Sequence, residues 1–264
     1  MTPVVKWVGG KRRLVNTLTS MMPPKYNKFH ELFCGGAALF FHLEQPNAVI
    51  ADMNWHLINF YKAVRDTPEE LLALSNQHDN NKEYYNEIRA WEDISKFDIE
   101  LAARFLYLNK TAYSGMWRVN KRNRMNVPFA NYPDKNYADP TQKYIKHDTL
   151  MSASALLKDT TIHHGSYDSI IPGRHDFVYL DPPYDQTWTG YTNEVFSQQG
   201  LKDYCDRLND IGAYFMVSNS ATDFIKELYV GYEIFEIDSA QAISGRHDKA
   251  GTRDKVKEVI ITNY

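Results

Sequence analysis

The chain has 264 residues, of which 43% are hydrophobic, with 30 Lys and Arg against 33 Asp and Glu and a formal net charge of −3. That length permits one sizeable core, or a core with a smaller inserted unit, and the near balance of charge leaves no overall basic excess to announce a nucleic-acid partner. Cys34 and Cys205 are too far apart in sequence for a CxxC metal pattern, the opening residues lack a signal-peptide core, and no apolar run approaches the roughly 20 residues of a membrane span, so a cytoplasmic protein with no metal and no membrane is expected.

In chain order, the segment Trp7-Val8-Gly9-Gly10-Lys11 is glycine-punctuated and leads into a predicted helix that stops before Pro23-Pro24. Lys28 to Phe33 reads as a strand, Cys34-Gly35-Gly36 as a turn, Ala37 to Leu43 as a helix, and Ala48 to Asp52 as a second strand ending in a carboxylate. Strand, glycine turn, helix, strand and acid together make a βαβ unit. From Trp55 to Ser95 the pattern is helical, and Asp98 is placed to cap a further helix through Leu101, Phe105 and Leu106. The stretch from Lys110 to Pro140 is polar and basic and reads as loops with a hairpin. Strand patterns return at 160–163, 176–180, 214–217 and 259–263, with helices at 200–209 and 223–229 between them. The expected fold is therefore α/β, a Rossmann-like doubly wound sheet (residues 1–55 and 146–264) interrupted by a mostly helical insertion at 56–145.

Two places carry chemistry. In the first, glycines between Phe33 and the following helix let the backbone approach a ligand, and Asp52 at the end of the next strand can accept hydrogen bonds from both hydroxyls of a ribose. The pattern is neither GxGxxG nor a P-loop, which argues against a dinucleotide or a nucleoside triphosphate; a structural glycine turn beside a solvated Asp remains the plain alternative. In the second, the apolar run Phe177-Val178-Tyr179-Leu180 ends in Asp181-Pro182-Pro183-Tyr184. The prolines lack N–H groups and fix φ, so the chain leaves the sheet as a rigid extended loop with its carbonyls available as acceptors. An acid, carbonyl acceptors and an aromatic face at a strand's carboxyl end suit an amino-bearing heterocycle, whereas a bare strand-ending turn would need none of them.

Asp181-Pro182-Pro183-Tyr184 resembles the catalytic DPPY motif of amino-methyltransferases, Phe33-Cys34-Gly35-Gly36 resembles their methyl-donor loop, and Lys6-Trp7-Val8-Gly9-Gly10-Lys11 resembles the start of the Dam-type DNA adenine-N6 methyltransferases. The order of donor loop, insertion and DPPY is similar to the alpha class, and the likeness runs from Lys6 to Asn263. It implies S-adenosylmethionine as methyl donor, leaving S-adenosylhomocysteine, with no metal. It implies a donor site lined by Trp7, Lys11, Phe33, Gly35, Asp52, Ser166, Tyr167 and Asp181, although many relatives carry Asp where Ser166 stands. Asp181, Pro182 and Tyr184 become the catalytic set: acid and carbonyl accept from the two N6 hydrogens of adenine, and Tyr184 stacks on a base flipped out of the duplex.

The stretch from Arg104 to Arg124 holds Arg104, Lys110, Arg118, Lys121, Arg122 and Arg124 without an acid, interleaved with Tyr113, Met116 and Trp117. Basic side chains supply the salt-dependent part of phosphate binding, and an aromatic can fill the gap left by an extruded base; a solvated basic hairpin is the plain alternative. Tyr113-Ser114-Gly115-Met116-Trp117-Arg118, with Asn126-Val127-Pro128-Phe129 and Tyr132, resembles the Dam-type target-recognition hairpin. Ser114 and Met116 look like phage forms, and Ala130 stands where Gly is common. The resemblance implies double-stranded DNA as partner and GATC as target. DNA contacts would come from Lys6, Tyr113 as wedge, Ser114, Met116, Arg118 as guanine reader, Arg122, Arg124, Pro128 and Tyr132. A monomer is expected, because each strand of the site can be methylated separately. Methylation of cytosine N4 or of RNA adenine, a non-catalytic DNA-binding relative, and a Rossmann oxidoreductase are the alternatives; the last leaves the basic insertion unexplained.

Overall fold

The computed structural model describes residues 1–91, 98–120, 124–130, 144–185, 196–239 and 256–264. Its centre is a seven-stranded sheet of β1 (Phe29–Leu32), β2 (Val49–Asp52), β3 (Thr161–His164), β4 (Phe177–Leu180), β5 (Tyr214–Ser220), β6 (Glu233–Ser239) and β7 (Val256–Thr262), in the order β3-β2-β1-β4-β5-β7-β6. The first five strands are parallel, and β7 runs antiparallel between β5 and β6. β1 and β4 are buried at every position, as parallel strands covered on both faces must be.

Side chains alternate between two cores. Phe29, Ile50, Phe177, Tyr179, Met216 and Ile260 point to one face, and Leu32, Val49, Val178, Leu180, Val217 and Ile261 to the other. The first face is covered by α1 (Val15–Ser20), α2 (Ala38–Leu43), α3 (Trp55–Asp66), α4 (Pro68–Ser75), α5 (Lys82–Arg89), α6 (Ile99–Thr111) and α7 (His147–Leu157). The second is covered by α8 (Gln198–Asp210) and α9 (Asp223–Leu228). Phe60, Tyr61, Tyr85, Phe105 and Trp117 join the same cluster as Phe29, Phe40 and Phe177, so the expected helical insertion shares the sheet's core.

Local chemistry explains the helix starts. Asn54, Asn81, Asp98, Ser197 and Thr222 each accept a backbone N–H at the first turn of α3, α5, α6, α8 and α9. The predicted helix before Pro23 is a 3-10 turn at Lys11–Arg13 followed by α1. The helical stretch from Trp55 divides into α3, α4 and α5, with Pro68 opening α4. β6 was not foreseen. Its Glu233, Glu236 and Asp238 are exposed, so charge protects the sheet's edge while masking the strand's alternation. Among the described residues no helix is long and apolar enough to cross a membrane.

Candidate active site and basic hairpin

The winding direction reverses between β1 and β4, so the crevice beyond their carboxyl ends is where such a sheet binds ligands. Leu32 pairs with Ala51 on one side and Leu180 on the other. One residue further on, Phe33 therefore stands between Asp52 and Asp181 at the same level of the sheet.

The loop after β1 is held in an uncommon shape. Phe33, Gly35 and Ala37 have φ of 70°, 48° and 51°. The Asp52 carboxylate fixes it, accepting from Gly35 N at 2.9 Å and from Asn54 N at 2.8 Å. Tyr61 donates its hydroxyl to Gly35 O at 2.8 Å from below. A Cβ on Gly35 would lie 2.5 Å from the Trp7 indole, so glycine is needed for both conformation and space. Each Asp52 oxygen has one backbone donor and keeps acceptor capacity for a second. Burial raises the Asp52 pKa, and the Asn54 and Gly35 N–H groups oppose that rise. Phe33 stacks on Tyr167 with ring centroids 4.9 Å apart, and Ser166 opens the short turn that carries Tyr167.

The acid after β4 is paired. Lys11 Nζ lies 2.7 Å from Asp181 Oδ1 and 2.9 Å from Oδ2, donates to Gly9 O at 3.0 Å, and sits 4.8 Å from the centroid of the Tyr184 ring. Burial raises the Asp181 pKa, and the Lys11 ammonium opposes it and favours the carboxylate. Glu31 on β1 is buried beneath the loop that follows β1. Desolvation pushes its pKa up to about 8, although the Phe40 and Leu39 N–H groups at the start of α2 partly offset that.

A polar frame locks the 181–185 loop. Gln198 donates to Pro183 O at 2.8 Å and accepts from Asn219 at 2.9 Å, while Tyr184 donates its hydroxyl to Glu258 at 2.8 Å. Ser220 donates to Asp185 O at 3.0 Å. This corrects the expectation that both proline carbonyls remain available, because that of Pro183 is engaged by Gln198. The frame residues Gln198, Asn219 and Glu258 were not found from sequence. In the sequence Asn219 shows only as the middle of a polar Ser218-Asn219-Ser220 run that ends an apolar strand.

The basic stretch divides in two. Arg104 is 2% exposed and donates to Ile88 O at 2.8 Å and Arg89 O at 3.1 Å, where it caps the end of α5. Lys110 donates to Val4 O at 2.8 Å. Arg104 therefore serves the interior, which corrects its reading as part of a phosphate-binding run, whereas Lys110 is half-buried. Their neighbours form an antiparallel hairpin bridged at Ala112–Phe129 and Val119–Met125. At its base Tyr113 is 56% exposed, Ser114 has φ of 55°, and Pro128 is exposed. Met116 is half-buried against the core, Arg124 is exposed, and Arg118 directs Nε to Asn126 at 2.8 Å. The Lys6 side chain lies over Gly115. Arg122 and Tyr132, like Lys121, lie outside the described residues.

The profile of the family described as D12 class N6 adenine-specific DNA methyltransferase matches residues 7–243. The chain is 36% identical over 282 residues to the type II methyltransferase M1.LlaDCHI of Lactococcus lactis subsp. cremoris, across 100% of this chain and 96% of that protein. It is 32% identical to the type II methyltransferase M.CviBI of Paramecium bursaria Chlorella virus NC1A, across 100% of both chains. It is 30% identical to the DNA adenine methylase of Haemophilus influenzae, across 98% of this chain and 92% of that one.

Proposed function

Because this chain belongs to the D12 class of N6 adenine-specific DNA methyltransferases, we propose that it transfers the methyl group of S-adenosylmethionine to N6 of the adenine in duplex GATC. The adenine is flipped out of the helix to reach the pocket. The observation that carries this reading is the Lys11–Asp181–Tyr184 cluster, which joins an acid, a cation and an aromatic face at the sheet's switch point.

The residues around the loop after β1 fit a methionine-linked nucleoside. Asp52 is oriented to accept from ribose hydroxyls, the Gly35 backbone admits close approach, and Trp7, Phe33, Ser166 and Tyr167 line the remainder. When bound, the donor supplies a methyl group already activated on a sulfonium. Gly35→Ala would force an L-residue to φ of 48° and push the side chain into Trp7. The left-handed cost of about 1–2 kcal/mol favours a relaxed loop with Trp7 displaced; donor binding must then restore the strained shape, so affinity is expected to fall on the order of tenfold, read by isothermal titration calorimetry. Unchanged affinity would remove Gly35 from the donor site.

Adenine N6 is a weak nucleophile because its lone pair is conjugated with the ring. Asp181 and the Pro182 carbonyl accept hydrogen bonds from its two N–H groups and draw the nitrogen towards sp³ geometry, while the Tyr184 face holds the base; as the N6–CH3 bond forms, the S–CH3 bond breaks and one N6 proton is released. The Lys11 ammonium bonds to the same carboxylate and stands over the same ring, so it keeps Asp181 ionised until the amino group arrives and must yield one carboxylate oxygen to it. No covalent enzyme intermediate is needed.

Lys6 and the 56–145 segment together present the DNA-facing unit: Lys6, Ser114, Met116, Arg124 and Pro128 meet the duplex, Tyr113 is the wedge that fills the gap, and the family resemblance adds Arg122 and Tyr132, which lie outside the described residues. Asn126 orients the Arg118 fork, which suits guanine O6 and N7. Arg118→Ala should cost about 1–3 kcal/mol in discrimination at that guanine. Competition between GATC and singly substituted duplexes reads this, and unchanged discrimination rejects the assignment. Sequencing of N6-methyladenine in an unmethylated plasmid treated with the protein tests the site itself. Modification confined to GATC is expected, and a different motif would overturn the site while leaving adenine as the target.

A further inference from the structure

Asn109, in the last turn of α6, is 0% exposed, yet its side-chain amide is committed to backbone outside its own helix. Its Oδ1 accepts from Lys6 N at 3.0 Å, and its Nδ2 donates to Lys6 O at 2.7 Å and to Gly115 O at 3.3 Å. The amide therefore pairs with both backbone groups of Lys6, as a neighbouring strand would, and with its other bond reaches the 113–115 turn. The two segments also touch directly, since a Cβ on Gly115 would lie 2.5 Å from Lys6 Cδ. On one side of this junction, Trp7 rests on Gly35 of the donor loop. On the other stand exposed Tyr113 and two successive residues of positive φ, Ser114 at 55° and Gly115 at 65°. One buried amide thus lies between the donor loop and the DNA-facing turn.

We propose that Asn109 is a positioning residue that couples the two sites through Lys6. The inference rests on the donor and DNA sites assigned above. A ligand that immobilises Trp7 also immobilises Lys6 and, through Asn109, the turn. The duplex then has less conformational freedom to remove, and the gain must be reciprocal.

The test measures the Kd of S-adenosylhomocysteine, which cannot turn over, by calorimetry on the full chain with and without a saturating GATC duplex. The native protein is expected to bind it five- to tenfold more tightly with duplex present, within the range usual for linked sites. In Asn109→Ala that ratio is expected to fall below about twofold. A role in folding alone would lower affinity or melting temperature and leave the ratio intact. Gly115→Ala strains the same junction from the turn side, where its Cβ would meet Lys6 Cδ at 2.5 Å and Lys6 Cβ at 2.8 Å, keeps the Asn109 side chain, and decides the matter if Asn109→Ala does not fold. Its ratio is also expected to fall, with affinity for S-adenosylhomocysteine alone unchanged. No duplex effect in the native protein, or an undiminished ratio in the folded variants, overturns the proposal. Failure of the native protein to bind either ligand would instead overturn the site assignments beneath it.

Discussion

Asp181→Ala is expected to remove methyl transfer while leaving DNA binding largely in place. The substitution deletes the acceptor that would hold the N6 hydrogens and leaves the Lys11 ammonium, 2.7 Å away in the native site, without its carboxylate. Loss of a single oriented group of this kind lowers turnover by about 10²–10³-fold, and loss of the acid that also positions the base should reach at least that. Single-turnover transfer measures the first effect and duplex gel shift the second; retained turnover would end the assigned role. The native activity should carry the same signature in pH. Because burial raises the Asp181 pKa, its working carboxylate is lost at a higher pH than an ordinary Asp would be. Turnover should therefore fall on the acid side as pH drops through that raised value.

Arg104→Ala is expected to weaken the fold and not the DNA contact. The side chain is 2% exposed, and removing it takes the Arg104 donor from the Arg89 carbonyl, leaves the Ile88 carbonyl with only the long 3.4 Å bond from Trp91 N, and opens a cavity beside Tyr85. A buried polar group left unsatisfied costs about 1–3 kcal/mol, so a total near 3 kcal/mol is expected, with a drop in melting temperature of roughly 5–10 °C. The consequence reaches the hairpin, because Tyr85 and Arg89 of α5 both donate to Val127 O at 2.9 Å. Thermal unfolding reads the effect. A stable variant with a reduced salt slope for DNA would return Arg104 to the phosphate-binding surface.

Much of the site could be read in the sequence because it is local. The donor loop shows as a change from apolar strand to glycines, followed by an acid at the next strand's end. The DPPY loop shows because two prolines cannot continue a sheet. Asp98 shows as a cap because a short acid precedes a helical run. What could not be read is long-range. The Lys11–Asp181 contact spans 170 residues of sequence, and the frame of Gln198, Asn219 and Glu258 forms only once α8, β5 and β7 surround the loop. Arg104 was misread for a different reason: its charge outweighed its position. It lies on the face of α6 with Leu101, Phe105 and Leu108, all buried, and that spacing marks the interior. β6 was hidden by the exposed acids that guard the edge.

The most direct test is tritium transfer from labelled S-adenosylmethionine to two duplexes that differ only at GATC, one unmodified and one already carrying N6-methyladenine on both strands. Label on the unmodified duplex alone, recovered as N6-methyladenine, is the expected result. Label recovered on cytosine, or equal label on both duplexes, would contradict transfer to the adenine held by Asp181 and Tyr184.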